Sequence, residues 1–308
     1  MKKSLLTLLC IFAATSFAVA QSKIGQKGEN GLYGNIKSFK QCNVKATSQF
    51  GNVVTSDTTY TCESQYNMGG EEIGFHSWSP TEELVVVYEL REDGTRMHGQ
   101  RYCNSVLEAE FWYDEKGLLK RKWIITGILK GKKVDIRYAY DEFGKLLTDT
   151  TYDANGELEF LNTYQYNADS LLEKRVIHNA ERSVLSTTTY YYDESKRVTK
   201  EVRENVRVNS KDSTEITYDN KGRILKTVRS FSHRVIENIY SYLDVGRDES
   251  TTMVETITTP KGQTIRYIGY EYIYDAHGNW TKKIIYNVNT ENEIKDAKQV
   301  LFREIVYY

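Results

Sequence analysis

Outside its turns the chain places aromatic or aliphatic residues at every second position, in runs too short for helices. Phe111/Tyr113, Tyr138/Tyr140, Tyr164/Tyr166, Tyr190/Tyr192, Tyr240/Tyr242 and Tyr272/Tyr274 each put two rings at positions i and i+2. That spacing keeps both rings on one face of a strand. The runs end in Asp114-Glu-Lys-Gly117, Asp141-Glu-Phe-Gly144, Asp153-Ala-Asn-Gly156, Asp219-Asn-Lys-Gly222 and Asp275-Ala-His-Gly278. Asp at the first turn position accepts a hydrogen bond from a backbone N–H two residues on, and Gly at the fourth takes the left-handed conformation of a bulged hairpin. Thr259-Pro-Lys-Gly262 reads as the same device with Pro in second place. Asn167-Ala-Asp-Ser170 and Asp193-Glu-Ser-Lys196 lack the glycine, so other turns are expected there. After each turn come Leu118-Leu119, Leu146-Leu147, Leu171-Leu172, Ile224-Leu225 or Trp280, which fill the gaps between successive tyrosines.

The unit repeats. Tyr113, Tyr140, Tyr166, Tyr192 and Tyr218 lie 27, 26, 26 and 26 residues apart, the register loosens through Tyr242, and the motif returns at Tyr274-Asp275. A period this regular means stacked hairpins that line up a tyrosine ladder. With roughly 13 residues per strand and turn, about 18–20 strands are expected. Open sheets of that width coil, split or close. The pattern predicts an all-β fold: a curled, single-layer antiparallel meander with the tyrosine ladder inside. Regular repeats run over about 106–290, and about 22–105 reads as an irregular N-terminal cap of one β-hairpin repeat domain, 21–308.

Residues 1–20 read as a secretory signal peptide. Lys2 and Lys3 are followed by the apolar stretch Leu5 to Ala14, and Ala18-Val19-Ala20 forms the small-residue cleavage site before Gln21. The stretch is too short to span a bilayer. Cys10, preceded by Leu9 within that stretch, does not fit a lipoprotein site. Cleavage leaves 288 residues, and losing two lysines moves the formal charge from −1 to −3. Periplasm, outer surface and extracellular medium are the expected locations. That charge gives no reason to expect nucleic acid, and no other segment is apolar enough for an integral membrane helix.

Three cysteines remain after cleavage. Cys42 and Cys62 are equally spaced about a turn near Gly51-Asn52. A symmetric hairpin would set them face to face for a disulfide, and a one-residue slip would turn them to opposite faces. Cys103 reads as an unpaired buried thiol.

The Tyr-Asp-x-x-Gly units, as in Tyr218-Asp-Asn-Lys-Gly-Arg-Ile-Leu-Lys226, resemble the YD repeat of RHS-type proteins from about Phe111 to Tyr286. The chain also resembles short exported proteins of Gram-negative bacteria with degenerate YD repeats and no assigned activity. Gly34-Asn-Ile-Lys-Ser38 and Tyr274-Asp-Ala-His-Gly-Asn-Trp-Thr-Lys282 look like features of that group. In large RHS toxins such repeats wall off a toxic C-terminal domain. This chain is short and carries no Asp-Pro-x-Gly self-cleavage signature, so the resemblance implies the shell-like fold and not the toxin role.

Motif chemistry is sparse. His76, His98, His178, His233 and His277 lack metal-ligand spacing, and no catalytic residue, metal ligand or cofactor-binding residue is identified. His277 reads as a solvated turn residue. Trp78, outside the regular ladder, is the tryptophan singled out for stacking on a ligand. The leading expectation is a non-catalytic binding or scaffold module of the cell envelope, with a glycan or an envelope protein as partner. The alternatives are a carbohydrate-active enzyme with a carboxylate pair inside the curl, and an outer-membrane β-barrel suggested by the aromatic end Ile305-Val-Tyr-Tyr308. The charges spread through the strands argue against the barrel.

Overall fold

A computed structural model describes residues 32–125, 133–242, 249–289 and 294–308, without the side chains of 289 and 294. The signal peptide expected over 1–20 lies outside the described residues. The described chain folds into 20 antiparallel strands in one sheet. Each strand pairs with the next, and β1 (Ile36–Gln49) pairs on one side with β2 (Asn52–Tyr66) and on the other with β20 (Ile294–Tyr307).

This last pairing corrects the expected open curl. Phe39↔Ile305, Gln41↔Arg303 and Asn43↔Leu301 join the first strand to the last, so the single layer is a closed β-barrel. An open sheet leaves two rows of edge N–H and C=O groups unpaired, and closure satisfies both. The strands at the join are long: 14, 15 and 14 residues for β1, β2 and β20, against seven or eight for β3 (Glu72–Trp78) through β9 (Leu146–Tyr152).

The expected turn chemistry is present in detail. At Asp114 the N–H of Gly117 donates to the Asp114 carbonyl, and the N–H groups of Lys116 and Leu118 both donate to its Oδ1 at 2.9 Å. Gly117 takes φ +76°, where an L side chain is strained. Where glycine is missing the turn is unchanged, contrary to expectation. Ser170 and Lys196 adopt φ 66° and 62°, and their N–H groups donate to the carbonyls of Asn167 and Asp193. The Asx side chain organises the turn, and the fourth residue absorbs the strain. Thr259-Pro-Lys-Gly262 also differs: Thr259 pairs directly with Gly262, which leaves a two-residue turn.

The same unit runs through the segment that fits the period poorly in sequence. Asn67 and Gly70 make the turn bonds of Asp114 and Gly117, as do Arg91 and Gly94. A register shift precedes each of these turns too, at Gln65/Tyr66 and Glu89/Leu90.

Side chains close the barrel as well. Asn279, 2% exposed, donates to the Tyr33 carbonyl at 2.7 Å and to the Tyr307 hydroxyl at 2.8 Å, and accepts from the Tyr33 N–H at 2.6 Å. His277 is exposed in its turn, as expected, and also stacks on Tyr307 with ring centres 3.9 Å apart. Gly34 takes φ +94°, where an L side chain is strained, and a Cβ there would also press on the Tyr307 ring at 3.1 Å. Tyr308 donates its hydroxyl to the Tyr66 carbonyl at 2.5 Å. The aromatic C-terminal residues are thus parts of a clasp.

Candidate functional site

The two faces of the barrel wall differ in chemistry. On one face lie cross-strand ion pairs, including Lys200–Glu215, Lys211–Glu204 and Lys226–Glu237 at 2.6–2.8 Å. The other face carries the tyrosine ladder. Burial pushes the Tyr138, Tyr164 and Tyr272 hydroxyls far above the usual tyrosine value and Tyr140 up to about 12, although all four rings are only half-buried. The ladder face also holds the buried Thr151, Asn162, Ser186 and Thr227, while the opposite face carries the exposed Tyr191, Ile239 and Ile273, so the ladder lies on the crowded, concave side that faces the lumen.

Ladder hydroxyls are fixed by the backbone one repeat earlier. Tyr140, Tyr166, Tyr192, Tyr218 and Tyr242 donate to the carbonyls of Leu119, Leu146, Leu172, Val198 and Ile224 at 2.6–2.9 Å. Each acceptor lies six residues beyond the preceding repeat tyrosine, or its equivalent, so one spacing sets the whole ladder.

The lumen is not filled by the ladder. Among the described residues, the ring contacts and side-chain hydrogen bonds of the ladder join strands that are neighbours or next-but-one neighbours in the wall. Barrels of about 16–18 strands already leave an aqueous channel. Small polar groups such as Thr151, Asn162, Ser186, Thr188 and Thr227 are nonetheless buried at mid-wall, sheltered between the long side chains around them.

One position per repeat brings charge into this lumen. Phe111 pairs with Lys122, Tyr138 with Asp149, Tyr164 with Arg175, Tyr190 with Glu201, Ile216 with Thr227 and Tyr272 with Lys283. Paired residues in an antiparallel sheet share a face. Each partner lies eleven residues after its ring-bearing or aliphatic mate, and therefore nine after the repeat tyrosine. Sequence reading missed this series, because its residue type changes at every repeat while its spacing does not.

The members differ in how they are satisfied. Asp149 accepts from Asn162 Nδ2 and from the Tyr164 hydroxyl, both at 2.6 Å. Lys283 lies 4.3 Å from the centre of the Tyr270 ring; burial and then Arg303 lower its pKa, and Glu249 opposes them. Arg303 stacks on Trp280 at 3.4 Å and donates to Gln41, while burial lowers its pKa to about 10.

The residues singled out from sequence are placed elsewhere. Cys62 pairs with Gln41, and Cys42 with Thr61. The thiols therefore point to opposite faces and both are free, which corrects the expected disulfide. Cys103 is free and half-buried. Trp78 lies on the outer face against His76, ring centres 4.7 Å apart, with the Lys40 ammonium 5.6 Å from its ring. Trp112 and Trp123 also face outward, 4.6 Å apart, and Arg121 and Lys133 cover Trp123. At the barrel rim a cleft of about 430 Å³ lies between the turns at Asn167 and Asp193, but Lys196 already bonds Asp169 across it at 3.0 Å. Among the described residues no three His, Cys, Asp or Glu side chains are grouped to hold a metal ion. Among those residues no helix is long and apolar enough to cross a membrane.

Comparison with known proteins gives similarity without an activity. A family model described as "Uncharacterised protein" matches residues 102–208. No curated protein matches the chain. A porin-like protein from Bacteroides uniformis is similar at 10% identity and a TM-score of 0.41, over 88% of this chain and 98% of that one. A TcdB2–TccC3 structure is similar at 12% identity and a TM-score of 0.27, over 83% of this chain but 21% of that one. Likeness at these TM-scores carries no functional argument.

Proposed function

We propose that the protein is a non-catalytic, soluble barrel of the cell envelope that binds a ligand, a glycan or part of an envelope protein, within its lumen. The observation that carries this reading is the contrast between the faces. Pairs such as Lys200–Glu215, Lys211–Glu204 and Lys226–Glu237 lace the outer wall, whereas half-buried tyrosines and scattered polar and charged groups, the Glu255–Arg266 pair among them, line the inner face. Aromatic rings with placed polar groups are what ligand cavities use, and an outer face laced with charge suits water.

A second reading is supported by the closed barrel and by the outward residues Val235, Ile239, Ile265 and Ile273, which are exposed on β16 (Arg234–Ser241) and β18 (Gly262–Tyr274). These favour an outer-membrane barrel. Against it, Lys226 and Glu237 lie among them on the same face, and a lipid-facing band has to be continuous.

Expressing the full chain with its own leader in a Gram-negative host separates the two. Recovery in detergent-free periplasmic extract, with binding on a glycan array or to a solubilised envelope component, is the expected result. Recovery only from detergent-solubilised outer membranes would establish the second reading instead.

A further inference from the structure

Lys122 stands apart from the other charged lumen groups. It lies on β7 (Leu119–Ile125), paired with Phe111 of β6 (Val106–Tyr113) on one side and with Ile136 of β8 (Lys133–Tyr140) on the other. Its ammonium is 5.4 Å from the centre of the Phe111 ring. Among the described residues no carboxylate pairs with it, whereas Asp149 is bonded twice and Lys283 feels Glu249. The charge that Lys122 does feel is Arg101, which is another cation.

Arg101 brings a second donor to this part of the wall. Arg101 reaches Glu108 through Nη2 at 2.9 Å, while its Nε is buried with no hydrogen-bond partner. The wall between the two cations is floored by small residues, since Ala109 pairs with Arg101, and Gly99 pairs with Phe111. The Tyr88 and Phe111 rings cover Gly99, where a Cβ would come within 2.7 Å of the first and 3.3 Å of the second. Lys122 and Arg101 thus face the lumen from one stretch of wall, beside the Phe111 and Tyr88 rings. A half-buried ammonium without a counter-ion is costly in a crowded wall, and an anion bound beside it would relieve that cost.

We propose that this stretch of the lumen wall is an anion-binding subsite, in which Lys122, supported by Arg101, holds the acidic head of a ligand whose planar or apolar body lies against Phe111 and Tyr88. The inference rests on the lumen-binding reading above and narrows its ligand class to acids carrying a ring or an acyl body.

The test uses the detergent-free mature protein and two dyes of similar size. One is the anion 8-anilinonaphthalene-1-sulfonate, and the other is uncharged N-phenyl-1-naphthylamine. Lys122→Gln is expected to weaken the sulfonate about tenfold, as expected for loss of one charge-assisted contact, and to leave the neutral dye unchanged. Lys122→Arg should retain sulfonate binding. Lys226→Gln, which removes an outer-face ion pair, should alter neither dye. In the unsubstituted protein sulfonate affinity should fall with rising pH before ordinary lysines titrate, because burial and Arg101 lower the Lys122 pKa. Sulfonate binding indifferent to Lys122→Gln and to that pH range would overturn the subsite while leaving lumen binding intact. Failure of both dyes to bind any form would overturn the lumen-binding reading itself.

Discussion

The closure region and the repeated wall are held together by different means. Around the closure the chain has two dry clusters. Leu32, Phe39, Cys62 and Tyr66 form one, and Ala46, Tyr286, Ala297 and Val300 the other, with Ala297 and Val300 at 0% exposure. Between β6 and β16 the fully apolar contribution is thin: Ala109, Ile136, Val176 and Val202 are buried singly, far apart along the chain. That stretch relies on turn bonds, ladder hydroxyls and ion pairs, each of which contributes only about 1 kcal/mol. A hairpin repeat can therefore tolerate variation at many positions. The one place where the first strand must find the last, across the whole chain, needs apolar burial and a specific clasp.

The sharpest way to break this contrast is at the closure. Val300→Asp places an unpaired charge in a fully enclosed position and is expected to cost more than about 4 kcal/mol, seen as loss of the cooperative urea transition. Asn279→Ala removes the clasp and strands the backbone of Tyr33, with an expected loss of about 3 kcal/mol by the same measurement. If either variant keeps full stability, the closure is not the special region argued for.

Acid should act first on the wall. The Arg197 side chain and backbone N–H hold Asp193 below the usual carboxylate range, and the N–H groups of Glu157 and Asn155 do the same for Asp153. Their folded pKa values lie below the unfolded ones. The stability they contribute is therefore present above the ordinary carboxylate pKa of about 4 and is lost as pH falls through the depressed values. Hydrogen exchange at neutral and acid pH should show these hairpins losing protection before β1 and β2, whose turn at Phe50-Gly51 has no aspartate.

Two smaller substitutions sharpen the account of the repeat. Tyr192→Phe deletes the hydroxyl that bonds the Leu172 carbonyl at 2.6 Å and should cost about 1 kcal/mol. Ser170→Gly relieves a left-handed serine at φ 66° and should raise stability by about 0.5–1 kcal/mol, read as a shift in urea midpoint. A destabilising result there would mean that the serine side chain makes a contact outweighing the strain.

Much of the wall was legible because the repeat is written in residue types with one conformational meaning. Asp followed three residues later by Gly specifies a bulged turn, and rings at i and i+2 specify a face. The N-terminal hairpins escaped that reading because Tyr66-Asn67 and Leu90-Arg91 replace the usual pair while keeping the turn geometry. The lumen series was hidden for the opposite reason. Lys122, Asp149, Arg175, Glu201, Thr227 and Lys283 share a position and no chemistry, so only strand pairing reveals them as one ring. Cys42 and Cys62 show how fine the margin is. A hairpin centred on residue 52 would pair them, but the turn closes with Gln49 opposite Asn52, and Cys42 ends opposite Thr61, one residue from Cys62 and on the other face.

By itself the sequence determined the strand, its turn and the face on which the tyrosines lie, since these follow from local conformational preference and a period of two. It could not determine closure. Whether twenty strands stay open or join depends on accumulated twist and on pairing between residues such as Phe39 and Ile305, which are neighbours only after every intervening strand is in register. That long-range condition made the inside of the repeat a lumen, and with it turned Lys122 from one more strand lysine into a candidate ligand contact.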